Sequence, residues 1–140
     1  MYLTSGILPP GGLTTDLISQ LMDAMRSAPS NKSIVLFHTG GGEIANVGAE
    51  ETAFVHRNVE VVVQIKSIWD AEADAEVNMN WVKSTRRIVE PYLTGSYVNY
   101  IDPYLTDWKE AYYGANYARL LDMKHLVDPF NFFRFNQSIY

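Results

Sequence analysis

The sequence has 140 residues, of which 47% are hydrophobic and 19% charged, and its formal net charge is −5. This length and composition predict one globular domain with a buried core, exclude a disordered chain, and argue against a nucleic-acid partner, because no basic run offsets the acidic balance. The sequence contains no cysteine, which excludes disulfides, thiolate metal ligands and a cysteine nucleophile.

A helix is predicted near the start of the chain. The turn-forming residues 9–12 are followed by Thr14 and Thr15, and either threonine can cap a helix that runs to about Ala28. Apolar side chains recur at helical spacing along this stretch. They are Leu17, Ile18, Leu21, Met22 and Met25.

Two strands and a shorter extended segment are predicted next. Residues 33–39 and 59–69 contain apolar runs with β-branched side chains, and residues 52–57 are typical of a short extended segment. Successive side chains of a strand point to opposite faces, so Val62 and Gln64 share one face of the second strand.

The second half of the chain predicts two helices with a strand between them. Residues 71–93 form the first helix, and residues 106–127 form the second, with a break near Gly114. Residues 96–101 alternate between polar and apolar side chains, as in a strand with one buried face. An aromatic tail follows Asp128 and Pro129 and contains Phe130, Phe132, Phe133 and Phe135.

The predicted order of elements favours an α+β fold, with an antiparallel β-sheet and helices packed on one face. The other face of the sheet then needs a cover, which a second domain, a partner or a ligand could supply. A small domain rarely exposes an aromatic patch as large as this tail, so we expect the tail to pack against something.

Few residues have side chains suited to catalysis. The three histidines, His38, His56 and His125, are not spaced as metal ligands, and no metal site is expected. The glycines at 40–42 lack the spacing of a nucleotide-binding loop, so a flexible loop is the better interpretation. No Gly-x-Ser-x-Gly motif marks a serine nucleophile.

The predicted strand at residues 96–101 contains the most informative polar residues. Its alternation places Tyr97 and Asn99 on one face, with Val98 and Tyr100 on the other. A phenol can act as a base or a donor, and an amide can donate or accept hydrogen bonds. Aromatic residues also suit strands for packing reasons alone, so the residues themselves leave both interpretations open.

The N-terminal residues lack the positive region and the long apolar core of a signal peptide. No apolar run approaches the roughly 18 residues of a membrane span, so no membrane partner is expected. Two Asn-x-Ser triplets, at Asn31 and Asn136, are weak hints of a secreted parent and leave the localisation undetermined.

The C-terminal region resembles the signature of the berberine bridge enzyme-like FAD-linked oxidases. The matching positions are residues 107–120, Lys124, residues 128–133 and residues 137–139. Residues further upstream are also similar to that family: residues 52–57, Gln64, Trp69 and residues 96–102. The resemblance covers at least residues 34–139.

This resemblance implies a vanillyl-alcohol-oxidase-type flavoprotein fold, in which an antiparallel sheet of the substrate domain covers the flavin ring. Residues 1–105 would be part of the substrate-binding domain, and residues 106–140 a C-terminal segment that returns to the FAD-binding domain. FAD is the implied cofactor of a longer parent. The implied partner is the FAD-binding domain or a companion chain, and this chain alone is not expected to bind FAD tightly or to turn over.

The implied reaction is oxidation of a small-molecule alcohol or sugar by hydride transfer to flavin, with O₂ as the acceptor. Tyr97 and Tyr100 correspond to active-site tyrosines of the carbohydrate and alcohol oxidases in this family. Gln64 stands where berberine bridge enzyme has a catalytic glutamate, and glutamine cannot take a proton. Gln64 and Val62 are therefore interpreted as substrate-binding residues.

The resemblance also implies three cofactor-binding residues. Asn99 is similar to a family asparagine beside the flavin, and Tyr113 and Asn116 would lie near the junction with the cofactor. Two other hypotheses remain: a non-catalytic binding or structural module that uses the open sheet face for a protein partner, and an unrelated ligand-binding domain.

Overall fold

Three short strands form the sheet of this protein. The computed structural model describes residues 1–140. Its strands are β1 (Tyr2–Leu8), β2 (Ile34–Thr39) and β3 (Val61–Ser67). They are ordered β1-β3-β2, and both pairs are antiparallel.

Five helices accompany the sheet: α1 (Thr15–Arg26), α2 (Glu43–Asn46), α3 (Ala75–Val89), α4 (Trp108–Tyr113) and α5 (Tyr117–Val127). Short 3-10 turns flank α3 at Glu72–Asp74 and Glu90–Tyr92, and a third, Gly114–Asn116, separates α4 from α5. The predicted α+β fold, with helices packed on one face of an antiparallel sheet, is confirmed.

The core lies between one face of the sheet and helices α1 and α3. Alternate residues of β3 point into it, as the strand pattern requires. Its members are Tyr2, Leu8, Leu17, Leu21, Val61, Val63, Ile65, Trp81, Val82 and Val89. The opposite face of β3 carries Val62 and Gln64, as predicted.

Helix α1 begins where its sequence predicts. The side-chain oxygen of Thr14 accepts a hydrogen bond from Leu17 N at 3.1 Å, which satisfies one of the amides that the first turn leaves unpaired. The break predicted near Gly114 is also present. Gly114 has a φ of 48°, a left-handed conformation that favours glycine, and it ends α4.

Strand β1 was not predicted from the sequence. It contains Gly6, and a glycine inside a strand weakens the strand signal. The structure gives the reason for this glycine, because a Cβ atom at Gly6 would lie 2.5 Å from the side chain of Leu93. The Leu93 side chain therefore packs against the bare backbone of Gly6.

The prediction of a strand over residues 96–101 is wrong, and residues 52–57 form no strand either. A single bridge joins Ile7 to Gly95, after which the chain turns. Tyr100 N donates to Tyr97 O at 2.9 Å and closes that turn.

Long-range hydrogen bonds explain why this segment leaves the sheet. Tyr97 N donates to Ser5 Oγ at 2.9 Å, and Ser5 Oγ donates to Tyr97 O at 3.3 Å. Ser96 Oγ donates to Ser5 O at 3.1 Å. The side chain of Ser5 thus forms hydrogen bonds with both the N–H and the C=O of Tyr97. In a continuing strand, these two groups would instead have paired with a neighbouring strand.

A buried carboxylate ties the C-terminal region to the sheet. Tyr2 Oη donates to Asp102 Oδ1 at 2.9 Å, and Tyr104 N donates to the same oxygen at 2.9 Å. Asp102 N donates to Tyr112 Oη at 2.9 Å, and Gln137 Nε2 donates to Asp102 O at 2.7 Å. One residue therefore connects β1, α4 and the tail.

The end of the chain exposes an apolar surface. Helix α5 has no buried residue. Exposed apolar side chains continue from this helix into the tail: Met123, Leu126, Val127, Phe130, Phe132, Phe133 and Phe135. The phenylalanines of the tail do not pack into the core of this chain. None of the helices combines the length and apolar character needed to cross a membrane.

Two neighbouring residues of α1 test the placement of the core. Leu17 is fully buried, whereas Ile18 is 43% exposed. We expect Leu17→Ala to lower the free energy of unfolding by about 2–5 kcal/mol, because it removes buried methyl groups and leaves a cavity. The matched Ile18→Ala variant should change it by only about 0.5 kcal/mol, as at other surface positions. Urea unfolding followed by circular dichroism measures both, and equal losses would contradict this packing.

The buried tyrosines predict a loss of stability in alkali. Burial, reinforced by the hydrogen bond to Asp102, raises the pKa of Tyr2 above its ordinary value of about 10. Such a group contributes stability that is fully present below the unfolded pKa and is lost as the pH rises through the folded pKa. We therefore expect the free energy of unfolding to fall above a pH of about 10.

Urea unfolding at stepped pH measures this alkaline fall. It should be shallower in Tyr2→Phe, whereas Tyr140→Phe, which alters an exposed residue, should follow the unmodified chain. Identical pH profiles for Tyr2→Phe and the unmodified chain would refute the role given to Tyr2.

Candidate functional site

A cavity with a volume of about 660 Å³ lies at the open face of the sheet. Its walls are formed by strands β2 and β3, the loop before β3, the turn that follows Gly95, and helix α4. The lining residues are His38, Thr39, Ile44, Ala53, Phe54, Arg57, Val62, Tyr97, Val98, Asn99, Tyr100, Tyr112 and Tyr113. Most of these side chains are apolar or aromatic, with a few polar groups among them, as in small-molecule sites.

The floor of the cavity comes from two paired strand residues. His38 of β2 is directly opposite Val62 of β3 in the antiparallel register. Directly opposed residues of a sheet point to the same face, so both side chains lie on the open face. Val62 is thus part of the cavity, as the sequence predicted.

The turn at residues 97–100 brings both tyrosines and the asparagine to the cavity. The rings of Tyr97 and Tyr100 lie edge to face, with centroids 5.3 Å apart. Asn99 Nδ2 donates to Tyr97 Oη at 2.8 Å. The predicted separation of Tyr97 and Asn99 from Val98 and Tyr100 onto opposite faces is wrong, because a turn does not keep the alternation of a strand.

Tyr100 has a partner that sequence reasoning missed. Its Oη lies 3.2 Å from His38 Nε2, and the two ring centroids are 5.7 Å apart. The residues are 62 positions apart in sequence. The only local signal was a histidine at the end of a predicted strand, followed by three glycines, and it does not indicate the partner.

The opposite wall is aromatic and carries one cation. The rings of Phe54 and Tyr97 lie edge to face at 5.9 Å. The guanidinium of Arg57 lies over the Phe54 ring, 5.2 Å from its centroid, and it also donates to Ile44 O and to Thr52 Oγ1. Arg57 is the only Lys or Arg among the lining residues.

Two tyrosines of α4 complete the lining. Burial raises the pKa of Tyr112 and that of Tyr113, so both phenols keep their protons more firmly than an exposed tyrosine does. Tyr112 Oη is occupied by the hydrogen bond from Asp102 N. Tyr113 makes no such bond, and its side chain lines the cavity as a predicted site residue.

Two predicted site residues lie outside the cavity lining. Gln64 is on the open face of β3 beside Val62 and is buried, with Ser5 and Leu36 as its opposed residues. Asn116 belongs to a smaller cavity, where its amide donates to Ala49 O and to Thr52 O. The observed contacts of Asn116 therefore anchor the loop before β3.

The cavity fits the side of a flat polar heterocycle better than it fits a phosphate chain. Its aromatic edges, phenol oxygens and an amide can contact a ring and the oxygen of a small substrate. A pyrophosphate requires several backbone N–H groups or cations, and this cavity offers only Arg57. The residues present thus suit the ring portion of FAD, and the structure has no cluster of three side chains placed to hold a metal ion.

Comparison with known proteins shows which family this chain resembles. Residues 96–140 match the family described as berberine and berberine like. Over 87% of its length the chain is 35% identical to the uncharacterized FAD-linked oxidoreductase YvdP of Bacillus subtilis, and it covers 27% of that protein. It is 30% identical to the hexose oxidase of Chondrus crispus, again over 87% of the chain and 27% of the relative.

Solved structures give the same result for the fold. Wild-type BBE-like 1 of Physcomitrella patens superposes on 99% of the chain with a TM-score of 0.88 and 29% identity, and the chain covers 30% of that structure. The chain therefore spans less than a third of the length of each of these relatives. In its C-terminal segment, its sequence and its fold, the chain is similar to a portion of the berberine bridge enzyme-like FAD-linked oxidoreductases.

Proposed function

We propose that this chain supplies the substrate-side wall of an FAD-dependent oxidase that converts an alcohol or a sugar hydroxyl to a carbonyl, with O₂ as the final acceptor. The observation that carries the proposal is the group of phenols and amide at one open cavity, formed by Tyr97, Asn99 and Tyr100. The sheet and helices hold these groups, while the cavity itself stays accessible on the uncovered face.

The lining residues favour a neutral hydroxyl compound as substrate. Dehydrogenation of an alcohol requires that its hydroxyl proton leave as hydrogen leaves the carbon. Tyr97 and Tyr100 are the residues positioned to take or guide that proton, and no Asp or Glu lines the cavity. The similarity to a hexose oxidase supports a sugar as one member of the substrate class.

FAD, when bound, would supply the hydride acceptor, which no side chain of this sequence can supply. Asn99 and Tyr113 would contact the flavin side of the cavity, and Val62 would contact the substrate. Gln64 remains a proposed substrate-binding residue at the edge of the same face. Asn116 would act on the cofactor side indirectly, by holding the loop that contains Ala49 and Thr52.

The proposed partner is an FAD-binding domain or a companion chain that carries one. Residues 1–105 would form part of the substrate domain, and residues 106–140 would form the segment that contacts the FAD-binding part. Phe130 and Phe132 are the most accessible apolar groups of that segment, followed by Phe133 and Leu126. An aromatic surface of this kind is typical of a surface that is covered in the functional assembly.

Tyrosine substitutions test the proposed chemistry. In the flavin-loaded oxidase that contains this sequence, we expect Tyr97→Phe and Tyr100→Phe each to lower kcat for alcohol or sugar oxidation, by about 10²-fold or more for the phenol that takes the proton. Oxygen consumption with a panel of sugars and alcohols measures the effect. Tyr104→Phe is the matched control, since Tyr104 is 53% exposed and lies outside the cavity lining.

If neither cavity tyrosine affects kcat while Tyr104→Phe behaves like the unmodified protein, the proposed role of the phenols is wrong. If no member of the panel is oxidised by flavin-loaded protein, the alcohol or sugar substrate is wrong. A protein partner bound at the open face without flavin would then favour the alternative, a non-catalytic interaction module.

Flavin retention tests where the cofactor is held. We expect visible flavin absorbance only in material whose intact mass includes an FAD-binding region, because these residues hold one side of a ring and no pyrophosphate. The 140-residue chain alone should lose added FAD on gel filtration. Stoichiometric flavin retained by this chain alone would contradict the proposal that a separate FAD-binding region holds the cofactor.

A further inference from the structure

The cavity contains one histidine, His38, and a histidine ring nitrogen can either donate or accept a proton. The other titratable or charged groups that line the cavity are Arg57, Tyr97, Tyr100, Tyr112 and Tyr113. None of them is a carboxylate. His38 is therefore the one lining side chain with a neutral nitrogen that can accept a proton from a phenol.

The two central phenols have different partners. Tyr97 Oη accepts a hydrogen bond from the amide of Asn99 at 2.8 Å, and an amide nitrogen cannot accept a proton in return. Tyr100 Oη faces His38 Nε2 at 3.2 Å, and a neutral imidazole nitrogen can accept one. The two phenols therefore differ in the chemistry that their partners allow.

Regular structure holds the Tyr100–His38 pair in place. His38 lies inside the ladder of β2 and β3, opposite Val62. Tyr100 closes its turn through the hydrogen bond from its N to Tyr97 O, and Ser5 holds that turn at Tyr97. Both members of the pair are thus anchored by backbone hydrogen bonds.

We propose that His38 is the positioning residue that receives the proton of Tyr100 and so makes Tyr100, rather than Tyr97, the base of the reaction. The inference rests on the proposed function. When the substrate carbon gives up a hydride, for which bound FAD would be the acceptor, the substrate hydroxyl proton would pass to Tyr100 Oη. The phenol proton passes to His38 Nε2, and the carbon–oxygen single bond becomes a carbonyl. Tyr97, held by Asn99, orients the substrate oxygen.

This arrangement requires a particular form of His38. Its Nε2 must be free of a proton, so the neutral ring carries its proton on Nδ1. Protonation of the ring removes the acceptor. Activity that depends on the pair therefore requires the neutral imidazole, and lowering the pH until the ring is protonated would remove it.

Nitrogen NMR of the 140-residue chain tests the pair without flavin or substrate. In ¹⁵N-labelled chain, His38 should show an unprotonated Nε2 and a protonated Nδ1 when neutral. Tyr100→Phe should return His38 to the Nε2-protonated form. Tyr97→Phe is the matched control, because it removes a neighbouring hydroxyl and leaves the contact between Tyr100 and His38 intact. The His38 signals of this variant should match those of the unmodified chain. His56 and His125 serve as internal references for intact folding.

A second measurement tests the role of the pair in turnover. In the flavin-loaded oxidase that contains this sequence, His38→Gln should lower kcat by about 10²-fold with little change in KM, and should remove the loss of kcat at acid pH. A neutral His38 with its proton on Nε2, or His38 signals that Tyr100→Phe does not change, would contradict the proposed Tyr100–His38 hydrogen bond. An intact pair in a protein that oxidises no alcohol or sugar would instead overturn the proposed function. An active oxidase whose kcat and pH profile are unchanged by His38→Gln would overturn only the relay.

Discussion

The buried carboxylate of Asp102 holds the C-terminal half of this protein against its sheet. A charged group away from water is stable only if its oxygens are hydrogen-bonded, and Asp102 receives bonds from the hydroxyl of Tyr2 and from Tyr104 N. Its own backbone groups bind Tyr112 and Gln137. Because strand β1, helix α4 and the tail all meet at this residue, its network fixes the position of the segment that immediately precedes it. That segment contains the tyrosines of the cavity.

The shape of the cavity therefore depends on two sets of hydrogen bonds, one on either side of the turn at residues 97–100. Ser5 fixes the turn at Tyr97 from the sheet, and Asp102 fixes the chain two residues after Tyr100. Tyr112 links the second anchor to the cavity directly, since its ring lines the wall while its hydroxyl accepts from Asp102 N. Side chains that must meet a substrate are held more precisely by such contacts than by a free loop.

The sequence predicts those features that local chemistry determines. The threonine before α1 and the alternation that places Val62 and Gln64 on the open face are local patterns, and the structure agrees with them. The path of residues 96–101 is not local, because it depends on the hydroxyl of Ser5, 92 residues away from Tyr97. For the same reason the approach of His38 to Tyr100 could not be predicted. Family resemblance indicated that the tyrosines matter, but only the turn shows how they face one cavity.

Helix α5 differs from the other long helices because it has no buried residue, whereas α1 and α3 both contribute to the core. Gly114, in a left-handed conformation, separates α5 from α4, whose Trp108, Ala111 and Tyr112 are buried. A helix with no buried residue adds little to the core and can open without unfolding the sheet. The chain should consequently contain two cooperative units, with amides of α5 exchanging with solvent through a low-energy local opening while those of β3 exchange only in the globally unfolded state. Contact with an FAD-binding part would then stabilise the less stable unit, so assembly and local folding would be a single event.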